Sequence, residues 1–199
     1  MVAKEFTSAN YDAVMESQQT VCVKCFCEKF PVEVVKAAVL FGMQALGYDE
    51  PTDGPMHILR ACLVGSDVFA CLPTGSGKSL CYAALPSAFG YLRSMSKGNL
   101  QGQQITSSCI VVVVSPLTAL MVDQVSMFEK RGLKAAFVGK EQTDENIRQQ
   151  VEKGVFSLVF MSPESLLQVL RWREMFRSTI YQDNLVGLVV DEAHCVEKW

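Results

Sequence analysis

Thr74, Gly75, Ser76, Gly77, Lys78 and Ser79 stand together in the run DVFACLPTGSGKSLCY, where an apolar stretch gives way to a glycine-rich loop and then to a helical pattern. That order is what a phosphate-binding loop needs. Glycines at 75 and 77 allow backbone torsions that a side chain would block, so successive N–H groups can point inward at an anion. Lys78 supplies a point charge for the β- and γ-phosphates. Ser79, opening the helix, can set its hydroxyl on a Mg²⁺ ion while the helix N-terminus adds partial positive charge. The implied ligand is a nucleoside triphosphate with its magnesium. The plain form of such a loop begins with one more glycine, at the place Leu72 occupies here.

A second segment, LVGLVVDEAHC, is an apolar strand ending in two adjacent acids, 113 residues beyond Lys78. Side chains alternate along a strand, so Asp191 and Glu192 cannot do the same job. Asp191 is assigned to Mg²⁺ and Glu192 to the attacking water. An acidic pair at a strand end is by itself more often a solvated turn, and it is the phosphate loop upstream that points to a function. His194 and His57 read on their own as structural histidines. Cys22, Cys25 and Cys27 open with the spacing of a zinc half-site, but no second half-site follows, so chance clustering or packing is expected in place of a metal.

Positioning these groups is the work of the surrounding elements. Beyond Gly65, short apolar runs alternate with longer helical patterns, the signature of an α/β domain with a central, mainly parallel sheet. Strands are expected at Asp67–Leu72, Cys109–Ser115, Ala135–Val138, Leu158–Met161 and Leu185–Asp191, and helices at Lys78–Ala88, Leu117–Arg131, Asp144–Glu152 and Glu164–Arg173. Upstream, PVEVVKAAVLFGMQAL opens with proline and stops at Gly47, as a helix does. After the turn cluster YDEPTDGP, MHILRACL returns to helical spacing. The polar stretch Ser94–Ser108 reads as a surface loop.

A length of 199 residues suits one packed core, and 49% apolar against 20% charged residues excludes a disordered or collagen-like chain. No segment has the length and apolarity to cross a bilayer, and the first fifteen residues lack a secretory run, so an intracellular protein with no membrane partner is expected. Of the eight cysteines, Cys71, Cys81 and Cys109 lie beside apolar residues and read as buried free thiols. Net charge is −3, with five basic and eight acidic groups in residues 1–66 and thirteen of each in residues 67–199. No basic block announces a nucleic acid, although a groove of a few Lys, Arg and backbone N–H groups can hold phosphates.

Pro-Thr-Gly-Ser-Gly-Lys-Ser and Asp-Glu-Ala-His resemble motifs I and II of superfamily 2 helicases, the second being a DEAH box. LPTGSGKSLCY (72–82), SPLTALMVDQV (115–125), MSPESLL (161–167) and DEAHCVEKW (191–199) resemble, in order, motifs I, Ia, Ib and II of the RecQ family of DNA helicases. The resemblance covers about residues 46–199, with residues 1–45 as an N-terminal helical extension. It implies a three-layer P-loop NTPase domain of the RecA-like kind, ATP at Thr74 to Ser79, metal and water chemistry at Asp191 and Glu192, and coupling to a second domain through His194. It further implies 3′ to 5′ movement on single-stranded or forked DNA, in the nucleus or cytoplasm, with Ser115, Pro116, Leu117, Ser162 and Pro163 lining the strand's path. Helix N-termini and hydroxyls there can hold phosphates without basic residues. Met121 and Met161 are expected as core fillers.

Two features depart from the family. Where it carries Phe-Arg and then an adenine-reading Gln upstream of the loop, this chain has Pro51, Thr52 and Pro55, leaving Tyr48 as a residue able to stack on a base. The sequence also stops at Trp199, before motif III, so a second RecA-like domain, in a longer or partnered molecule, is expected to supply the arginine finger and complete the DNA track. The alternatives are an ATP- and nucleic-acid-binding module without turnover, and an RNA helicase of the same superfamily.

Overall fold

The computed structural model describes residues 30–49, 51, 53–73, 75–96 and 108–193. Cys22, Cys25, Cys27, Thr52, Thr74, His194 and residues 97–107 of the polar stretch lie outside them.

Pro31, in an extended conformation that suits the position before a first turn, caps helix α1 (Val32–Gln44), and its carbonyl accepts from the N–H groups of Val34 and Val35. The helix ends at Gly47 (φ 81°), as its glycine suggests. Its buried positions, Val35, Ala38, Val39, Gly42 and Met43, repeat at the three-and-four spacing of one helical face. Helix α2 (Asp53–Leu63) follows, then α3 (Lys78–Ser96). The face of α1 lies on α3 so closely that a Cβ at residue 42 would fall 2.6 Å from the carbonyl oxygen of Ala84, which is why glycine stands there. Helix α3 runs on through Pro86 beyond the expected end at Ala88. Most of its residues from Cys81 to Leu92 are buried, because it is covered by the sheet on one side and by α1 and α2 on the other.

Four strands form one parallel sheet in the order β2-β3-β1-β4: β1 (Ile110–Val114), β2 (Ala135–Val138), β3 (Leu158–Met161) and β4 (Leu185–Val190). Each crossover is helical: α4 (Thr118–Glu129), α5 (Glu145–Glu152), and the succession α6 (Pro163–Gln168), α7 (Leu170–Arg177) and α8 (Thr179–Asn184). The run Ile-Val-Val-Val-Val of β1 is buried throughout, as a central strand covered on both faces must be. On one face Val111, Val113, Leu158 and Phe160 join a core with residues of α1, α2, α3 and α4. On the other, Ile110, Val112, Val159 and Met161 meet Val151, Trp172, Met175 and Tyr181 from α5, α7 and α8. The molecule therefore has the expected three layers, and Met121 and Met161 are fully buried fillers.

The strand expected at Asp67–Leu72 is not formed. Residues 66–73 are irregular, with Phe69 76% exposed, and the sheet ends at β4. Alternation of residue types makes a segment fit a pleated surface but does not provide the neighbour whose N–H and C=O groups it must bond. Cys71 on this segment is exposed accordingly, whereas Cys81 and Cys109 are buried as expected.

Candidate functional site

In a parallel sheet all strands deliver their last residues to one edge, where loops are free to hold ligands. Strand β1 leads into Ser115, β3 into Ser162 and β4 into Asp191, so these residues share the C-terminal edge of the sheet. The glycine-rich residues 75–77 lead into the N-terminus of α3, which packs on β1 and β4. Gly75 and Gly77 have φ of 80° and 86°, left-handed torsions that strain any other residue. Ser76 Oγ donates to Pro73 O at 2.6 Å, and the exposed Lys78 reaches back over the loop with Nζ donating to Leu72 O at 3.1 Å. These two bonds tie Ser76 and Lys78 back to the backbone of residues 72 and 73.

The peptide N–H of Asp191 still pairs with Val114 O of β1 at 2.9 Å, so this acid is the last residue held by the sheet. The chain then turns through Glu192 at φ 53°, a torsion non-glycine residues rarely adopt, and the Glu192 N–H donates to Asp191 Oδ1 at 3.0 Å. Burial raises the pKa of Asp191 above its ordinary value. The Glu192 N–H opposes this, the Glu192 charge adds to it, and the Lys78 ammonium again pulls it down. Lys78 and Asp191 thus share one electrostatic environment although they lie 113 residues apart.

Ser79 is tied sideways. Gln124 of α4 donates from Nε2 to Ser79 Oγ at 3.3 Å, and Gln124 Oε1 accepts from the hydroxyl of Tyr82, one turn along α3. Tyr82 stands edge-on to Phe128 and Phe160, and burial pushes its hydroxyl pKa well up, partly countered by Ser79. Tyr82 and Gln124 lie within the strings 72–82 and 115–125 but carry no assigned role there, and the further signal for Gln124 is a polar residue on a helical face otherwise filled by Met121 and Phe128.

The residues present suit a hydrated magnesium ion. Among the described residues no group of three or more His, Cys, Asp or Glu forms a cation cage. Mg²⁺ bound through one carboxylate, a hydroxyl and the ligand's own phosphates needs none. The Asp191 carboxylate is partly desolvated and takes part in no ion pair among the described residues.

The other expected positions are mixed in character. Ser115 is buried, and its Oγ has no hydrogen-bond partner. Pro116 is half-buried and Leu117 is 56% exposed. Ser162 is committed to capping α6, accepting from the N–H of Ser165 at 3.2 Å, and Pro163 is buried. Pro55 is buried beside the loop: a Cβ at Gly77 would lie 3.9 Å from its Cγ. Tyr48 is covered by the Arg131 guanidinium, 4.7 Å from its ring centre, while Arg131 also donates to Leu46 O. Thr74 and His194 lie outside the described residues, and His57 is exposed on α2. No described helix is long and apolar enough to cross a membrane.

A family model described as DEAD/DEAH box helicase matches residues 56–199. The chain is 36% identical over 156 residues to the ATP-dependent DNA helicase Q-like 5 of Arabidopsis thaliana, an alignment covering 77% of this chain and 15% of that protein. It is 36% identical over 148 residues to the ATP-dependent helicase SGS1 of Saccharomyces cerevisiae, covering 72% and 9%. To the ATP-dependent DNA helicase RecQ of Haemophilus influenzae it is 30% identical over 159 residues, covering 77% and 22%. The chain therefore spans less than a quarter of the length of each of these relatives.

Proposed function

Because this chain belongs to the DEAD/DEAH box helicase family, we propose that it binds ATP with Mg²⁺ at the loop before α3 and forms the first motor domain of a RecQ-type DNA helicase. Residues 46–199 are read as that domain and residues 1–45 as a helical extension. In this reading, residues 74–79 wrap the triphosphate, Lys78 leaves Leu72 O for the β- and γ-phosphates, Ser79 and Asp191 hold the metal, and Glu192 orients and deprotonates the attacking water. Bound Mg²⁺ would neutralise charge on the phosphates. What supports the reading is that the Lys78 charge acts on Asp191, the acid at the end of β4, and that Ser79 adjoins Lys78 at the start of α3.

Ser115, Pro116, Leu117, Ser162 and Pro163 are proposed to follow the path of single-stranded or forked DNA. Support comes from their place at the same edge and from the buried, unpartnered Ser115 hydroxyl. Direct contact by that hydroxyl requires the Ser115–Leu117 turn to open. His194, next to the acids, is proposed to couple turnover to a second RecA-like domain in a longer or partnered molecule moving 3′ to 5′. With DNA as substrate, the proposed compartment is the nucleus or, where there is none, the cytoplasm.

Titration with a fluorescent ATP analogue and Mg²⁺ tests the core of this reading. Lys78→Ala is expected to weaken binding by roughly 10–100-fold, the worth of a hydrogen bond to a charged group, with little change in thermal stability because the side chain is exposed. Equal affinity in the two proteins would sink it.

Pro55 supports a second expectation. Proline has no donor to read a base, so the discrimination of about 10⁴-fold or more available to a site built around such hydrogen bonds is out of reach. ATP and GTP are expected to compete for the loop within about tenfold of each other, as equilibrium displacement would measure. A strict preference for adenine would place a base-reading group elsewhere.

A further inference from the structure

Gln124 is 8% exposed and sits on the buried stripe of α4 between Met121 and Phe128, both with no exposure at all. A leucine would fill that seam without the cost of burying an amide, which must find partners for its donors and acceptor. The amide is instead spent on two groups of α3: its carbonyl takes the Tyr82 proton, and its Nε2 donates to Ser79 Oγ at 3.3 Å. Tyr82 is in turn fixed edge-on by Phe128 and Phe160, at ring separations of 6.4 and 6.1 Å. In the structure the carbonyl faces the tyrosine and the NH₂ faces the serine. A rigid aromatic thus orients an amide, and the amide engages the hydroxyl at the mouth of the phosphate loop.

Ser79 Oγ accepts from Nε2 and also lies within reach of the Tyr82 hydroxyl, so two protein groups hold it and one lone pair is left for whatever lies in front of the loop. We propose that Gln124 is a positioning residue for the metal-bound nucleotide: held by Tyr82, it fixes the Ser79 hydroxyl in the rotamer that presents its free lone pair to Mg²⁺. This rests on the nucleotide reading above and adds to it a residue from a helix outside both the phosphate loop and the acidic turn. The contact also ties α3 to α4, the helix that follows directly on Ser115–Leu117.

The test uses the affinity of the whole chain for a fluorescent ATP analogue measured with Mg²⁺ and with EDTA. Their ratio isolates the metal's contribution from that of the loop. Gln124→Leu alone takes the Gln124 acceptor from the buried Tyr82 hydroxyl and leaves it to compete for Ser79, so the decisive variant is the double change Gln124→Leu with Tyr82→Phe, which removes both partners together and preserves packing. It is expected to keep the metal-free affinity of the original protein and to lose roughly two- to tenfold of the Mg²⁺-dependent gain. Tyr82→Phe alone, which leaves the amide in place but unanchored, is expected to lose less of that gain. If the double variant retains the full gain, or weakens binding equally with and without metal, Gln124 only fills space and the proposal is overturned. If the original protein shows no nucleotide binding, the failure belongs to the nucleotide reading itself.

Discussion

Replacing Asp191 by asparagine is expected to lower DNA-stimulated ATP turnover by roughly 10²–10³-fold, the scale on which single charge-stabilising groups act in a dry site, while leaving the fold at least as stable as before. Turnover is to be measured in the molecule that carries the remaining motor parts, and stability in this chain. The two halves of the expectation have one cause. The Asp191 carboxyl is partly buried, and that burial raises its pKa above the ordinary value. A carboxyl whose folded pKa lies above its unfolded one favours the fold while protonated, and that contribution is lost as pH rises through the folded value. At neutral pH the ionised group therefore costs stability, and asparagine, which does not ionise, removes the cost. A melting temperature for Asp191→Asn equal to or above that of the original protein without ligand, together with a smaller rise on adding Mg²⁺ and ATP, is the expected calorimetric signature. A variant that melts lower and still responds fully to Mg²⁺ and ATP would mean that the carboxylate is structural.

The largest effect on stability is expected from Phe89→Ala. Phe89 is 2% exposed in the middle of α3, the helix between the sheet and α1, and its ring belongs to the larger of the two cores. Truncating such a ring costs about 3–5 kcal/mol, counting both the lost burial and the cavity left behind. That is a large share of the roughly 5–15 kcal/mol that holds a domain together. The melting temperature is expected to fall by roughly 10 °C for a chain of this size. Nucleotide affinity measured well below the transition should change little, because Lys78 and Ser79 lie three turns away on the same helix. A drop in affinity in the still-folded variant would mean that the packing of α3 sets the geometry of the loop directly.

Much of the architecture could be read without coordinates because parallel strands covered on both faces leave an unmistakable trace. Ile110–Val114, Leu158–Met161 and Leu185–Val190 are nearly continuous apolar runs, and the first two are each followed by a helical period. The glycine-rich loop was equally legible as a loop, since Gly75 and Gly77 sit where left-handed torsions are needed and only glycine takes them freely. Helix α3 was underestimated because its interior is buried nearly all round, which erases the polar stripe that normally marks a helix's extent. The run Asp67–Leu72 was misread for the opposite reason. Its pattern is right for a strand, but pairing belongs to two segments, and one segment's composition cannot supply the other.

Residue types and local spacing were enough to establish an α/β domain with a glycine-rich loop before a helix and an acidic turn, because glycine torsions, helix periods and strand alternation are properties of adjacent residues. Only the folded chain decided that Lys78 acts on Asp191, that Gln124 engages Ser79, that Pro55 lies against the loop and that Arg131 covers Tyr48. Those relations join residues far apart in sequence, where the partner is chosen by how helices pack on the sheet. Packing of that kind leaves no periodic mark on either segment alone.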